Sequence, residues 1–334
     1  MLSAELERAR QETVAAYWRR HHRWLASKGY VLRTSLRASW TPSASLDLDP
    51  RYLQYGVVID AIRASDGMQV ALKRVCMDRA SGEVDLAHYF QALNGKSLRN
   101  HCVPILDILP VEGGEKDVII VMPLLKAFDE PLFKTFGEVV AFLSQIFEGL
   151  EFLHDSVNIT HGECVSRHLM MDASPLYEHS YDPAYPALRR DWAGPSKPRS
   201  RTSRPVRYYF VDFGHAKSTL GKTETAEVQE LRAADIYELG NTIRKVFFNQ
   251  YDGFEFLYPV LADMMQVDPV NRPSARTLFR RFLNVRDSLS ESKLRSRLKH
   301  RNGEPMLRRI GNDLSHWLLT AQRAIIGVPA IPDA

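Results

Sequence analysis

Residues 159–172 read ITHGECVSRHLMMD and have the layout of a catalytic loop: a histidine, an acid two residues later, and a short apolar run after them. His161 and Glu163 are side chains that move protons near neutral pH once they are positioned against a substrate. The same stretch suggests a second chemistry, because His161, Cys164 and His168 offer the nitrogen and sulfur ligands that zinc prefers. No fourth ligand lies nearby in the sequence, which counts against it. Further along, Asp212 ends the apolar run YYFV, and an acid there suits a hard divalent cation that takes oxygen ligands. Lys73, at the end of VALK, is by itself an ordinary solvated strand lysine, so its context must decide its role.

The elements that would position these residues follow from periodicity. Between 51 and 75 the apolar runs YGVVIDAI and VALKRV are short, β-branched and separated by Ser65-Asp66-Gly67, which predicts a β-hairpin. SGEVDLAHYFQALNG predicts a short helix with Val84, Ala87, Phe90 and Leu93 on one face, stopping at Asn94-Gly95. CVPILDIL and DVIIVMPLL predict further strands, four located in a lobe expected to hold five strands and one helix and to end near Pro123. Beyond it, Thr135 to Glu138 forms a T-x-x-E capping box. Val139, Leu143, Ile146, Phe147, Leu150 and Leu153 then recur at helical spacing. This long buried helix delivers the chain into the 159–172 loop. A strand at RYYFVDFG, a helix around Ile236 to Phe248 and further helices complete the chain.

A length of 334 residues fits one two-lobed domain or two domains. The 44 basic and 40 acidic residues leave a net charge of only +4, which names no partner. The three cysteines, Cys76, Cys102 and Cys164, are scattered and lack CxxC spacing, so neither a disulfide framework nor a zinc site is expected, and a reducing compartment is. No apolar run approaches the roughly 18 residues that cross a bilayer, and the N-terminus lacks the apolar core of a signal peptide. The expectation is a soluble intracellular protein, cytoplasmic or nuclear, with no membrane partner.

Val14, Tyr17, Trp18, His21, Trp24 and Leu25 predict a packed amphipathic helix within the first 30 residues. Glu5, Glu7 and Glu12 count against a targeting role for it. TPSASLDLDP at 41–50 reads as a loop. The insert at about 173–205 carries Arg189, Arg190, Lys197, Arg199, Arg201, Arg204 and Arg207 in or beside it, among prolines and tyrosines, and is expected to be a solvated linker. KLRSRLKHR at 293–301 reads as the polar face of a C-terminal helix. Neither basic run has a base-reading module, so nucleic acid is not the expected partner.

A strand lobe followed by a helical lobe, with V-A-x-K, H-x-E and D-F-G in that order, resembles the eukaryotic protein kinases over about residues 50 to 285. The wording NHCVP, VMPLL, QIFEGLEFLH and YYFVDFG is similar to the protein-kinase-domain proteins abundant in basidiomycete fungi. The resemblance implies an α+β fold of two lobes, a small antiparallel β lobe with one helix and a larger, mostly helical lobe. It divides the chain into an N-terminal helix and linker at 1–48, the small lobe at 49–123, the large lobe with its insert at 124–285, and a helical extension at 286–334. It assigns Lys73 to the α and β phosphates of ATP, Glu83 to the helix partner of that lysine, and Asp212 to a magnesium ligand. Gly56, Val58, Ala71, Met122 and His168 complete the implied cofactor-binding set, and Glu163 takes the catalytic position.

Several positions depart from the family. Arg51 and Leu53 stand where the resemblance calls for phosphate-loop glycines, and side chains there crowd the approach of backbone to phosphate. His161 matches the structural histidine, but Gly162 replaces the arginine, Glu163 the catalytic aspartate and His168 the second metal-ligand asparagine. Glutamate moves the carboxylate out by one methylene, and imidazole suits softer metals than magnesium. Asp212 is followed by only 22 residues before Asp235, the family's next helix acid, with no A-P-E between them. That leaves Glu224 or Glu227 as the expected partner of Arg272. With Gly162 in place of arginine, a phosphate on Ser218, Thr219, Thr223 or Thr225 lacks its cationic receiver. The resemblance therefore implies a pseudokinase, binding ATP and magnesium weakly and acting as scaffold or allosteric partner of another protein. The alternative is a serine/threonine kinase of low activity that transfers the γ-phosphate to protein hydroxyls.

Overall fold

The hairpin forms where the sequence places it: β2 (Val58–Arg63) and β3 (Gln69–Cys76) pair antiparallel. Gly67 in the connecting turn takes a φ of 74°, which favours glycine. Asp66 closes the turn by accepting the Met68 amide at 3.1 Å and the Arg63 guanidinium at 3.0 Å. β5 (Asp117–Pro123) and β4 (Asp107–Pro110) extend the sheet beyond β3. On the other edge lies β1 (Tyr30–Leu32), which gives a five-stranded antiparallel order of β1-β2-β3-β5-β4. The computed structural model describes residues 2–36, 57–112, 116–219, 225–303 and 306–333. The loop expected at 41–50, together with Arg51, Leu53 and Gly56, lies outside them.

Strand alternation sorts this sheet into two faces. Ile59, Ala61, Val70, Leu72, Ile119 and Val121 enter a core that α1 (Leu2–Ser27) covers with Tyr17, Trp18 and Leu25. The opposite face carries Val58, Asp60, Ala71, Lys73, Ile120 and Met122. Register places Val58 beside Lys73, and Asp60 beside Ala71 and then Met122. α2 (Met77–Leu93) follows β3 directly and buries Val84, Ala87 and Phe90, as its spacing predicts.

The chain forms two compact units, one comprising Met1–Asn94, Val103–Leu125 and Tyr177–Lys197, the other Gly95–Cys102, Lys126–Leu176 and Pro198–Ala334. The whole is an α+β fold. In the second unit α3 (Phe136–Glu151) starts at the predicted capping box, with Thr135 Oγ1 accepting the Glu138 amide at 3.1 Å and Glu138 accepting the Lys134 amide at 2.7 Å. Every residue of its predicted stripe is buried. β6 (Lys126–Ala127), β8 (Leu169–Met171) and β9 (Tyr208–Phe210) form a three-stranded sheet, and β7 (Ile159–Thr160) pairs with β10 (Lys217–Ser218). α4 (Ala226–Ile243) begins at Thr225, which caps it.

Two expectations for the basic runs are corrected. The insert is not a solvated linker: its Tyr177–Lys197 portion belongs to the first unit, and the remainder packs within the second. Arg201 is only 2% exposed; its Nη2 donates to the Phe128 carbonyl at 2.9 Å and its guanidinium lies 4.3 Å from the Phe133 ring centre. A planar, weakly hydrated cation tolerates such burial when its donors and its face are both used. The run at 293–301 is helical only through Arg295, after which Arg297 pairs with Asp313 at 2.9 Å. Among the described residues, no helix is long and apolar enough to cross a membrane.

Candidate functional site

In the first unit, Lys73 and Glu83 form an ion pair, with side chains 13% and 11% exposed. The helix carrying Glu83 starts at Met77, earlier than its predicted start, and is kinked at Ala80, where φ is −145°. Glu83 follows that kink by three residues, in the first turn of the helix beyond it, and turns toward Lys73. Val58, Ala71 and Met122 share the face of Lys73, as described above. Gly56 lies outside the described residues.

Asp60 is the residue that sequence reasoning missed. It is 1% exposed and shares the face of Ala71 and Lys73. A buried carboxylate needs partners. Arg33 Nε donates to its Oδ1 at 2.6 Å, and Arg190 Nη1 donates to its Oδ2 at 2.6 Å. Arg33 also holds Asp182 through Nη1 and Nη2, at 3.1 and 3.0 Å. Burial opposes ionisation of Asp182, but Arg33 and the amides of Ala184 and Tyr185 outweigh it and hold its carboxyl below the usual range. The signal was an acid inside the apolar run VVIDAI, whose partners lie far away in sequence.

In the second unit, β7 and β8 hold the two ends of the 159–172 loop. The His161 ring is buried against Phe213, 4.9 Å between centres. Its Nε2–H donates to the Val211 carbonyl at 3.0 Å, and its Nδ1 accepts the Glu163 amide at 3.2 Å. Desolvation lowers its pKa, against the opposing pull of Asp235. Asp235 accepts the amides of His161 and Gly162 at 2.8 Å each, and faces His154 Nε2 at 2.8 Å. Burial would raise its pKa, but His154, His161 and the His161 amide hold it down. Gly162 has a φ of 82°, and a Cβ there would meet the His215 carbonyl oxygen at 2.5 Å.

Around this frame the polar side chains neutralise one another. Arg167 Nη2 donates to the two Glu163 carboxylate oxygens at 3.2 and 3.1 Å. His168 Nδ1–H donates to the Glu163 carbonyl at 3.0 Å, while its Nε2 accepts from Arg167 Nε at 3.1 Å and lies 3.4 Å from Asp212 Oδ2. Asp212 takes a left-handed φ of 64°, with its side chain 42% exposed. One carboxylate facing an imidazole is a poor donor set for magnesium, which demands oxygen ligands in near-octahedral array. Cys164 is fully buried, and desolvation raises its thiol pKa well above the ordinary value. Among the described residues, no group of three or more His, Cys, Asp or Glu side chains is placed to hold a metal ion.

Arg272 does not meet Glu227. It donates instead to the carbonyls of Gln266, Ala233 and Val267 at 2.9, 3.0 and 3.2 Å and lies over the Tyr237 ring. Glu224 lies outside the described residues. No protein-family model matches the chain, and no curated protein matches it.

Proposed function

We propose that the chain is a pseudokinase, a protein-kinase-like protein that binds ATP weakly and acts as scaffold or allosteric partner of another protein. The observation that carries this reading is the Lys73–Glu83 pair. An ammonium held at the sheet face by a carboxylate from the following helix is an oriented donor for phosphate oxygens. The strand order and the run from Asp212 to Gly214 support the same reading.

Phosphotransfer is where the site falls short. A general base must have its carboxylate free to accept a proton from substrate, and that of Glu163 is engaged by Arg167. His168 supplies nitrogen where magnesium requires oxygen. These two features favour the pseudokinase over a serine/threonine kinase of low activity.

Nucleotide binding then depends on Lys73 and only slightly on magnesium. Ligand at 100 times its dissociation constant stabilises a protein by about 2.7 kcal/mol. Millimolar ATP is thus expected to raise the thermal midpoint, in magnesium and in EDTA alike, and Lys73→Met is expected to abolish the rise. An unmoved midpoint at 5 mM ATP (roughly 100 times a 50 μM dissociation constant), or a rise that survives Lys73→Met, counts against the reading.

A further inference from the structure

The face of the first sheet that carries Ala71 and Lys73 also carries a second chain segment. Asp60 is the register partner of Ala71, so its side chain stands about 5 Å away on the same face. Arg190 closes on that carboxylate from one side and Arg33 from the other. Gln69, two residues before Ala71 and therefore on the same face, donates through Nε2 to the Tyr181 carbonyl at 3.2 Å. Asp182 is tied to Arg33. Three side chains of the sheet unit thus grip the segment near its two ends, at 181–182 and at 190.

The segment between these grips has its own structure. The Asp182 amide donates to the Leu188 carbonyl at 2.9 Å, and the Arg190 amide to the Ser180 carbonyl at 2.8 Å. Tyr181 pairs with Arg189 in an antiparallel bridge, and Leu188 pairs with Pro195. A closed loop of this kind moves as one piece, because its backbone bonds are internal while Gln69 and the charged grips tie it to the sheet. The charged grips are two arginines and two aspartates, neutral as a set and largely desolvated.

We infer that residues 181–190 form an intramolecular strap that covers the Ala71 end of this sheet face and must leave it before a ligand can lie there. The nucleotide meaning of that face rests on the function proposed above, and the strap itself does not. Ala71 is 8% exposed. With the strap in place, the base of a nucleotide anchored at Lys73 meets Arg190 and Arg33, not an open apolar roof.

The test uses the full chain with Cys76→Ser and Ala71→Cys, so that one exposable thiol reports on the face; Cys102 and Cys164 are buried. Arg190→Ala with Asp182→Ala removes two grips yet leaves Asp60 paired with Arg33, so no buried charge is stranded. Arg190→Lys serves as the charge-retaining control. Labelling by a soluble maleimide is expected to be at least about tenfold faster in the double variant and unchanged in the control, corresponding to about 1.4 kcal/mol of lost protection. Trypsin is expected to cut after Arg189 only in the double variant. Cleavage without faster labelling overturns the covering role, and absence of cleavage overturns the charge network as the grip. In the released variant, fluorescent ATP is expected to bind at least about tenfold tighter than in wild type, with the gain lost on Lys73→Met. Faster labelling with no gain in ATP binding would leave the strap standing and overturn the nucleotide reading.

Discussion

The Arg167 guanidinium lies 3.1 Å from the carboxylate of Glu163, four residues earlier, and so holds in an ion pair the acid that the proposed function would need as a base. Typical kinases turn over at about 1 to 100 s⁻¹, and this chain is expected to fall at least about 10³-fold below that range. Glu163→Asp shortens the acid away from Arg167, and His168→Asn places an oxygen donor beside Asp212. Each is expected to raise transfer, and the double change to gain more than either single, because neighbouring residues acting on one transition state couple. Single-turnover transfer to a generic basic protein, with Asp212→Asn as background, measures it. Wild-type turnover near 1 s⁻¹ would show that the Arg167 pair does not disable Glu163.

Gly162 cannot be replaced by arginine without cost. Its φ of 82° disfavours any side chain, and the His215 carbonyl oxygen stands 2.5 Å from where a Cβ would be. Strain of this kind costs about 1 to 3 kcal/mol before the clash is added. Gly162→Ala is therefore expected to destabilise the protein by about 2 kcal/mol or more, and Gly162→Arg to be no better. Urea unfolding midpoints report both. An alanine variant within about 0.5 kcal/mol of wild type would mean that the loop relaxes freely.

Glu138 ties the return of the insert to α3. Its buried carboxylate accepts the Thr202 hydroxyl at 2.7 Å, the Thr202 amide at 3.0 Å and the Lys134 amide at 2.7 Å. Glu138→Ala strands these donors, at about 1 to 3 kcal/mol for a buried group left without its partner. The variant is expected to lose about 3 kcal/mol and to become sensitive to trypsin after Arg201, where the wild-type chain resists. Early wild-type cleavage after Arg201 would contradict its docking against Phe128 and Phe133.

Local signals carried the parts of the fold that are themselves local. The turn at Gly67, the capping box at Thr135 and the stripes of α2 and α3 each need only their own neighbours, and each forms as its spacing predicts. β1 escaped notice because Tyr30 to Leu32 is too short for alternation to register, and only pairing with Ala61 to Arg63 makes it a strand. The insert was misjudged for a related reason. Its arginines look solvated until Asp60 and the Phe128 carbonyl are brought to them across separations of 130 and 73 residues. Within the candidate site, strand and helix patterns place Lys73 and Glu83 on their elements, but their pairing was expected only from the family resemblance. The capture of Glu163 by Arg167 depends on a loop conformation that no pattern encodes.

His161 gives the protein a pH dependence of definite sign. In the folded chain its Nδ1 lone pair accepts the Glu163 amide and its Nε2–H is used on Val211, so protonation must break a hydrogen bond inside a desolvated site. Its folded pKa accordingly lies below the ordinary 6.5. Between the folded and unfolded values the unfolded chain binds the proton and the folded chain does not, so stability rises with pH in that window. The contribution is complete above about pH 6.5 and is lost as pH falls below it. Asp235 also favours higher pH, because its depressed carboxyl contributes stability above the ordinary carboxylate range, but that contribution is lost only below about pH 4. Urea midpoints measured from pH 7.5 down to 5 are therefore expected to fall in wild type and to fall less in His161→Gln, which keeps a donor and an acceptor but does not titrate. Equal slopes in the two proteins would show that His161 is not held neutral by these bonds.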